Sequence, residues 1–247
     1  MKNERRIFHE ELDGDTSVLS PNESHHVSHV LRLRTGDKLV IFNGKGGSRP
    51  ARVGETGRHE VEIVFAGPEV MQEPTAPRIT LAAAPPKGQR MDTPVQMAQE
   101  IGLDELIPII TDNSAQQDFS ENRYSRWRRV ALAAAKQSGN NYVLDIKPAT
   151  DFDDLLENLE PWDMQLVSHT GSGCANIREY LQNASRPENI LLAVGPEGGF
   201  GEREIKSAKD AGCATVKLPA ATLRVETAAV FALSAVCCQL DRKINVL

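Results

Sequence analysis

Glu197 and Arg224 stand in two C-terminal segments whose residue types could hold a ligand and move a proton on it, LAVGPEGGF (192–200) and LPAATLRVETAAV (218–230). In the first, a short apolar run ends at Val194 and gives way to Gly195, Pro196, Glu197, Gly198 and Gly199. Pro196 lacks an N–H and Glu197 repels polyanions, so the loop is unsuited to cradling phosphates. Glycines beside a carboxylate suit a neutral or cationic ligand approached closely by backbone. A tight turn, with glycines serving only positive φ, explains GPEGG equally well by itself. In the second segment Pro219, Ala220 and Ala221 lie between Leu218 and Leu223. Such a loop can offer backbone N–H and C=O groups to an adenine edge while the leucines flank the ring. Arg224 and Glu226 follow, either beside that ligand or as a structural ion pair at a helix start.

The elements that must position these loops follow from apolar periodicity. Short apolar runs at 79–84, 106–110, 142–146, 164–168, 190–194 and 215–218 read as strands. Helical segments at 93–101, 122–137, 151–159, 175–183, 202–211 and 224–240 alternate with them, which implies a parallel sheet covered on both faces. The 202–211 helix is well marked, with Glu202 and Glu204 at its positive end and Gly212 as its stop. Ligands of open α/β sheets bind at the carboxyl ends of such strands, where both glycine- and alanine-rich loops begin. S-adenosylmethionine, with a sulfonium, an amino group and an adenine, fits their chemistry. Walker A, GxSxG and HExxH patterns are absent, and GSG at 171–173 lacks the third glycine of a dinucleotide fingerprint.

Upstream of residue 70 the pattern is strands and turns. DKLVIFN (37–43) ends at a GKGG turn (44–47), and 51–54 and 60–65 are further strand candidates, which suggests a small β-barrel. The linker 71–78 lies in a stretch, GPEVMQEPTAP, that carries three prolines and reads as extended. The expected division is thus 1–70, linker 71–78 and 79–247. At 247 residues, 40% hydrophobic and 25% charged, the chain can bury two ordinary cores. No apolar stretch reaches membrane-span length and the N-terminus is too charged for a signal peptide, so the cytoplasm is the expected compartment. The four cysteines form no CxxC and read as reduced thiols.

A net charge of −6 argues against a nucleic-acid partner, but two stretches are locally basic. Residues 28–58 hold seven basic against two acidic side chains, and 123–136 hold five basic and none acidic. These patches are either solvated faces or phosphate contacts. HHVSHVLRLR (25–34) supplies His25, His26, Arg32 and Arg34, and PPKGQRMD (85–92) puts Lys87 and Arg90 at the end of a strand. In the helix beginning RWRR, Trp127 and Val130 face inward while Arg126 stays available. His25 and His29 have helical metal-pair spacing but no third ligand, so no metal is expected.

Taken in order, HHVSHVLRLRTGD, PPKGQRMD, QMAQEIGLDELIPI, RWRRVALAAAKQSG, GPEGGF and LRVETA resemble the SPOUT-class RNA methyltransferases, and more narrowly the 16S rRNA (uracil-N3)-methyltransferase family. The resemblance implies a PUA-like β-barrel that binds RNA, followed by a SPOUT-type parallel-sheet α/β domain with a C-terminal trefoil knot. It implies a homodimer, 16S rRNA in the 30S subunit as substrate, and S-adenosylmethionine held by knot loops. Here those loops contain Ser168, His169, Val194, Gly195, Pro196, Glu197, Gly198, Leu218 and Leu223. The implied RNA-binding residues are His25, His26, Arg32, Arg34, Lys87, Arg90 and Arg126. Methylation at N3 of uracil needs loss of the imide proton. Arg224 is the candidate to stabilise charge on the carbonyls, and Glu197 to orient the base or accept the proton. The chain departs from the family pattern at Asn113, Lys136, Asn140, Pro219, Ala221 and Val225. These departures leave a paralogue with another RNA target as an alternative. A non-catalytic RNA-binding factor and a small-molecule enzyme are the rival classes.

Overall fold

The β-branched and aliphatic runs of the N-terminal part pair into one mixed sheet. In the computed structural model, which describes residues 5–57, 60–88, 90–116 and 119–242, the chain divides into two compact units. The first is Met1–Pro74 with Ala135–Val143 and Asn245–Leu247, and the second is Thr75–Ala134 with Leu144–Ile244.

In the first unit, β1 (Arg6–Phe8), β2 (Thr16–Val18), β3 (Lys38–Phe42), β4 (Gly47–Thr56), β5 (Val61–Phe65) and β6 (Val70–Met71) form a six-stranded sheet. The strand order is β1-β3-β4-β5-β2, and β6 pairs with the start of β4. β3 and β4 are the hairpin expected around GKGG, with Phe42 opposite Ser48. Alternate residues Leu39, Ile41, Ala51, Val53, Val61 and Ile63 point into the core. HHVSHV folds as a short helix, α1 (Pro21–His25), that continues as one π-helical turn over His26–Val30. Val27 from this turn is fully buried, while Arg32 takes a left-handed φ of 53° that ends the helical path.

The second unit contains β7 (Arg78–Ala83), α2 (Asp92–Ile101), β8 (Glu105–Ile110), α3 (Glu121–Ser138) as far as Ala134, β9 (Asp145–Ile146), β10 (Thr150–Asp151) and α4 (Phe152–Leu156). It continues with β11 (Met164–Ser168), β12 (Ala175–Asn176), α5 (Ile177–Asn183), β13 (Asn189–Val194), α6 (Glu202–Asp210), β14 (Ala214–Lys217) and α7 (Val225–Gln239). The sheet is parallel throughout, in the order β10-β8-β7-β13-β11-β14-β12, with β9 beside β8. Both faces are covered. Leu191 and Ala193 of β13 join Phe152, Ile205 and Ala208 from α4 and α6. α7 packs against β7 and β13, and buries Val225, Ala229, Ala232, Leu233 and Val236 at helical spacing. This two-sided burial is why the strands read as unbroken apolar runs.

Two stretches differ from the sequence reading. The apolar run 142–146 forms a strand only at Asp145–Ile146, because its first residues belong to the first unit. There the Tyr142 hydroxyl donates to the Gln72 carbonyl at 3.0 Å, and the Asn141 N–H donates to Gln72 Oε1 at 2.8 Å. The 71–78 linker is extended but does not start as a free connection, because its first residues belong to the first unit. Met71 pairs with Gly47, and Gln72 is 2% exposed. Among the described residues no helix is long and apolar enough to cross a membrane, and all four cysteines are free thiols.

Candidate active site

Strand register brings four loops to one sheet edge. Ser168, the last residue of β11, lies opposite Val194 of β13 and Val216 of β14, and Val194 lies opposite Ala83 of β7. Two hydrogen bonds fasten the strand exits: the His169 N–H donates to the Val216 carbonyl at 2.9 Å, and the Ala84 N–H to the Val194 carbonyl at 3.0 Å. The loops after β7, β11, β13 and β14 therefore leave neighbouring strands at their carboxyl ends, the place where α/β sheets bind ligands. His169 is half-buried. Its ring lies against Gly171, where a Cβ would collide with it. Burial first, and then the nearby Lys209 ammonium, hold its imidazole below the ordinary 6.5.

The GPEGGF loop is held by packing and by one buried carboxylate. A Cβ on Gly195 would lie 2.9 Å from Phe200 Cδ2, so only glycine lets the Phe200 ring fold back on the loop and pack, tilted by 33°, with its centroid 4.5 Å from that of Phe152. Pro196 accepts a turn bond from the Gly199 N–H at 2.9 Å. Asn113, in the loop after β8, donates to the Gly199 carbonyl at 3.1 Å. Glu204, 1% exposed, accepts from the Gly201 N–H at 2.7 Å and from the Asp112 N–H at 3.0 Å. It thus caps α6 and ties the glycine loop to the β8 exit. Arg203 joins Asp112 and Asp153 at 3.1 and 2.7 Å. The sequence marks Glu204 only as a helix-start charge, because the S/T-x-x-E signature of a capping box is missing where Gly201 is the N-cap.

Arg90, singled out from sequence for RNA, spans two acidic residues. Its Nη2 lies 3.0 Å from Glu197 Oε1 and its Nη1 3.4 Å from Glu226 Oε1. Glu226 therefore pairs with Arg90, and the alternative of an Arg224–Glu226 pair is not formed among the described ion pairs. Glu197 is partly exposed, whereas the Glu226 side chain is 14% exposed and its Oε2 is buried without a hydrogen-bond partner among the described residues. Arg224 is the N-cap residue of α7, with an exposed side chain and a carbonyl that accepts from the Ala228 N–H at 2.8 Å. Leu218 is buried, Leu223 half-buried, and the residues between them are exposed. Val225 is buried in the α7 core, so this departure from the family pattern serves packing.

The other candidates are spread out. Lys87 is exposed. Arg126 is clamped on Asp92, at the start of α2, through Nε at 2.7 Å and Nη2 at 2.5 Å. In the first unit, His25 stacks on His29 with centroids 4.5 Å apart, His26 is half-buried, and Arg32 and Arg34 are exposed. Arg58 of the same basic stretch lies outside the described residues. No group of three or more metal-binding side chains assembles among the described residues. Lys136 pairs with nearly buried Glu23 at 2.5 Å. Asn140 is buried and accepts from Gln72 Nε2 at 3.2 Å and from the Tyr142 N–H at 3.0 Å. Both of these departures from the family pattern thus hold the first unit together.

Known proteins share this arrangement of sequence and fold. The model of the RNA methyltransferase domain family matches residues 22–237. The ribosomal RNA small subunit methyltransferase E of Synechocystis sp. is 28% identical over 226 residues, which are 91% of this chain and 74% of that one. Among solved structures, a ribosomal RNA small subunit methyltransferase E from Neisseria gonorrhoeae bound to S-adenosyl methionine is similar with a TM-score of 0.84 and 28% identity, covering 95% of this chain and 97% of that one. A Legionella pneumophila protein in complex with the bound cofactor SAM is similar with a TM-score of 0.86 and 27% identity, over 95% and 97% of the two chains. With a family match that spans most of its length, and with four loops gathered at the carboxyl edge of a parallel sheet, the chain belongs to the RNA methyltransferase domain family.

Proposed function

We propose that the protein methylates N3 of a specific uridine in 16S rRNA of the 30S subunit, using S-adenosylmethionine. The observation that carries this reading is the meeting of the β11, β13 and β14 exits at one edge, together with relatives solved with that cofactor. The residues present suit the cofactor. The exposed backbone of Gly198 and of 219–222 offers N–H and C=O groups, and Leu218 and Leu223 supply apolar flanks. Bound there, S-adenosylmethionine supplies an electrophilic methyl group.

The chain's own residues do the rest. Ser168, His169, Val194, Gly195 and Pro196 lie where β11 and β13 end and would hold the cofactor there. Arg224, exposed at the first turn of α7, stabilises charge that develops on the uracil carbonyls. Glu197 orients the base from the glycine loop, steadied by Arg90. The target base leaves its stack to reach this edge. In the same reading the first unit is a PUA-like barrel whose His25, His26, Arg32 and Arg34 meet RNA, with Lys87, Arg90 and Arg126 contributing from the second. The C-terminal part of the second unit forms a trefoil knot, and the active form is a cytoplasmic homodimer that needs no metal.

The test is transfer of labelled methyl from S-adenosylmethionine to 30S subunits that lack the modification, with the product nucleotide mapped by mass spectrometry. The expected product is 3-methyluridine at one position of 16S rRNA. Methylation of a different RNA would indicate a paralogue. Binding to 30S subunits with no cofactor binding by calorimetry would indicate a non-catalytic assembly factor.

A further inference from the structure

The Glu226 carboxylate is asymmetric in a way that structural pairing does not explain. Oε1 faces the Arg90 guanidinium at 3.4 Å, while Oε2 is cut off from solvent and has no donor among the described residues. Buried acceptors are nearly always paired, because desolvation is costly when no hydrogen bond replaces water. A buried carboxylate oxygen left open beside a ligand site is the feature expected of a group whose partner arrives with the ligand. Glu197 lacks this feature: its side chain is 38% exposed, so water can reach it, and its Oε1 is engaged by Arg90 at 3.0 Å.

We propose that Glu226 is the catalytic residue that accepts the N3 proton of the target uridine. The assignment rests on the proposed N3 methylation. The imide N–H is a donor of the kind Oε2 lacks, and it is the proton that must leave for N3 to become nucleophilic. In the step, the N3–H bond breaks and an O–H bond forms on Oε2. The N3 electron pair forms the bond to the methyl carbon, and the pair of the departing C–S bond stays on sulfur. The sulfonium charge is thereby neutralised, and the Glu226 proton is later lost to water. Arg90 on Oε1 restricts the rotation of the carboxylate and leaves Oε2 as the oxygen without a donor among the described residues.

The experiment compares wild type, Glu226→Gln, Glu226→Asp and Glu197→Gln on two substrates. These are unmodified 30S subunits, and 30S subunits reconstituted with 16S rRNA in which every uridine is 5-fluorouridine. The fluorinated imide is more acidic and needs a base less. Affinity for S-adenosylmethionine is measured for each variant by calorimetry. The expected result is a kcat lower by about 10²-fold or more in Glu226→Gln, with partial recovery in Glu226→Asp. Cofactor affinity should be retained, and the Glu226→Gln defect should shrink by about tenfold on the fluorinated substrate, as proton-transfer catalysis requires. A near-wild-type kcat in Glu226→Gln overturns the assignment. So does an equal defect on both substrates, a parallel loss of cofactor binding, or a large kcat loss confined to Glu197→Gln. If wild type methylates no 30S substrate although it binds the cofactor, the N3-methylation reading itself fails, which is a different result from an active wild type with an active Glu226→Gln.

Discussion

The guanidinium of Arg90 meets the carboxylate of Glu197 at 3.0 Å, so the loop leaving β7 is latched to the glycine loop leaving β13. The same guanidinium reaches Glu226 on the first turn of α7. One cation thus sets the relative positions of three segments that enter a single site. Because Arg90 and Glu197 are both substantially exposed, the latch orders the site without adding much stability.

Arg90→Ala should lower the thermal midpoint modestly, since mostly buried Glu226 loses its cation, and lower kcat/KM by about 10- to 100-fold, the scale expected when reacting groups drift by roughly an ångström. Arg90→Lys should recover only part, since an ammonium cannot bridge two carboxylates as a planar fork does. Steady-state kinetics on 30S subunits checks this. A higher KM with an unchanged kcat would instead place Arg90 on the RNA.

Arg224→Ala should reduce methyl transfer by about 10²-fold or more, the size seen when a donor to developing charge is removed. Cofactor affinity should stay largely intact, because the exposed Arg224 side chain caps nothing in α7. Single-turnover transfer and calorimetry with S-adenosylmethionine, run side by side, measure the two effects.

Gly195→Ala should destabilise the second unit by about 1–3 kcal/mol, the usual cost of overpacking. The new Cβ would sit 2.9 Å from Phe200 Cδ2 and 3.2 Å from the Phe200 backbone nitrogen, and the backbone atom cannot swing away. Denaturant titration checks the loss, and the tryptophan spectrum should report a native fold below the midpoint.

Glu204→Gln should cost about 2 kcal/mol, because an amide keeps one acceptor where the carboxylate now serves two N–H groups. The Gly201 and Asp112 N–H groups are those at risk. The variant should also bind the cofactor more weakly, since Glu204 ties the glycine loop to the β8 exit. Chemical denaturation and calorimetry read the two consequences.

His169 predicts a pH effect with a definite sign. Its folded pKa lies below the ordinary 6.5, by burial and then by Lys209, so the unfolded chain takes up the proton first. The contribution of His169 is absent above the unfolded value, and destabilisation grows as pH falls below 6.5 until the folded imidazole is also protonated. Wild type should thus lose stability relative to His169→Asn between about pH 7 and pH 5, measured by urea midpoints across that range. Parallel curves for the two proteins would show that His169 is not the group responsible.

What the sequence determined by itself was local. The apolar runs at Met164–Ser168 and Asn189–Val194 declare buried parallel strands because both faces of each are covered. Glu202, Glu204 and the following Gly212 declare α6 because helix ends impose their own chemistry within one turn. The family could be read from motif order. Partner choice was decided only in three dimensions. Nothing local reveals that β13 inserts between β7 and β11, or that β14 lies on the far side of β11. Nor does it reveal that Tyr142 leaves an apolar run to bond with Gln72. The ion pairs of Arg90 were not legible in the sequence, because basic residues at a strand end look the same whether free or paired. Arg90 meets Glu197, 107 residues away, only once parallel pairing has brought the two strand exits together. The open oxygen of Glu226 is likewise a product of tertiary structure, since burial of one carboxylate oxygen depends on every neighbour packed around it.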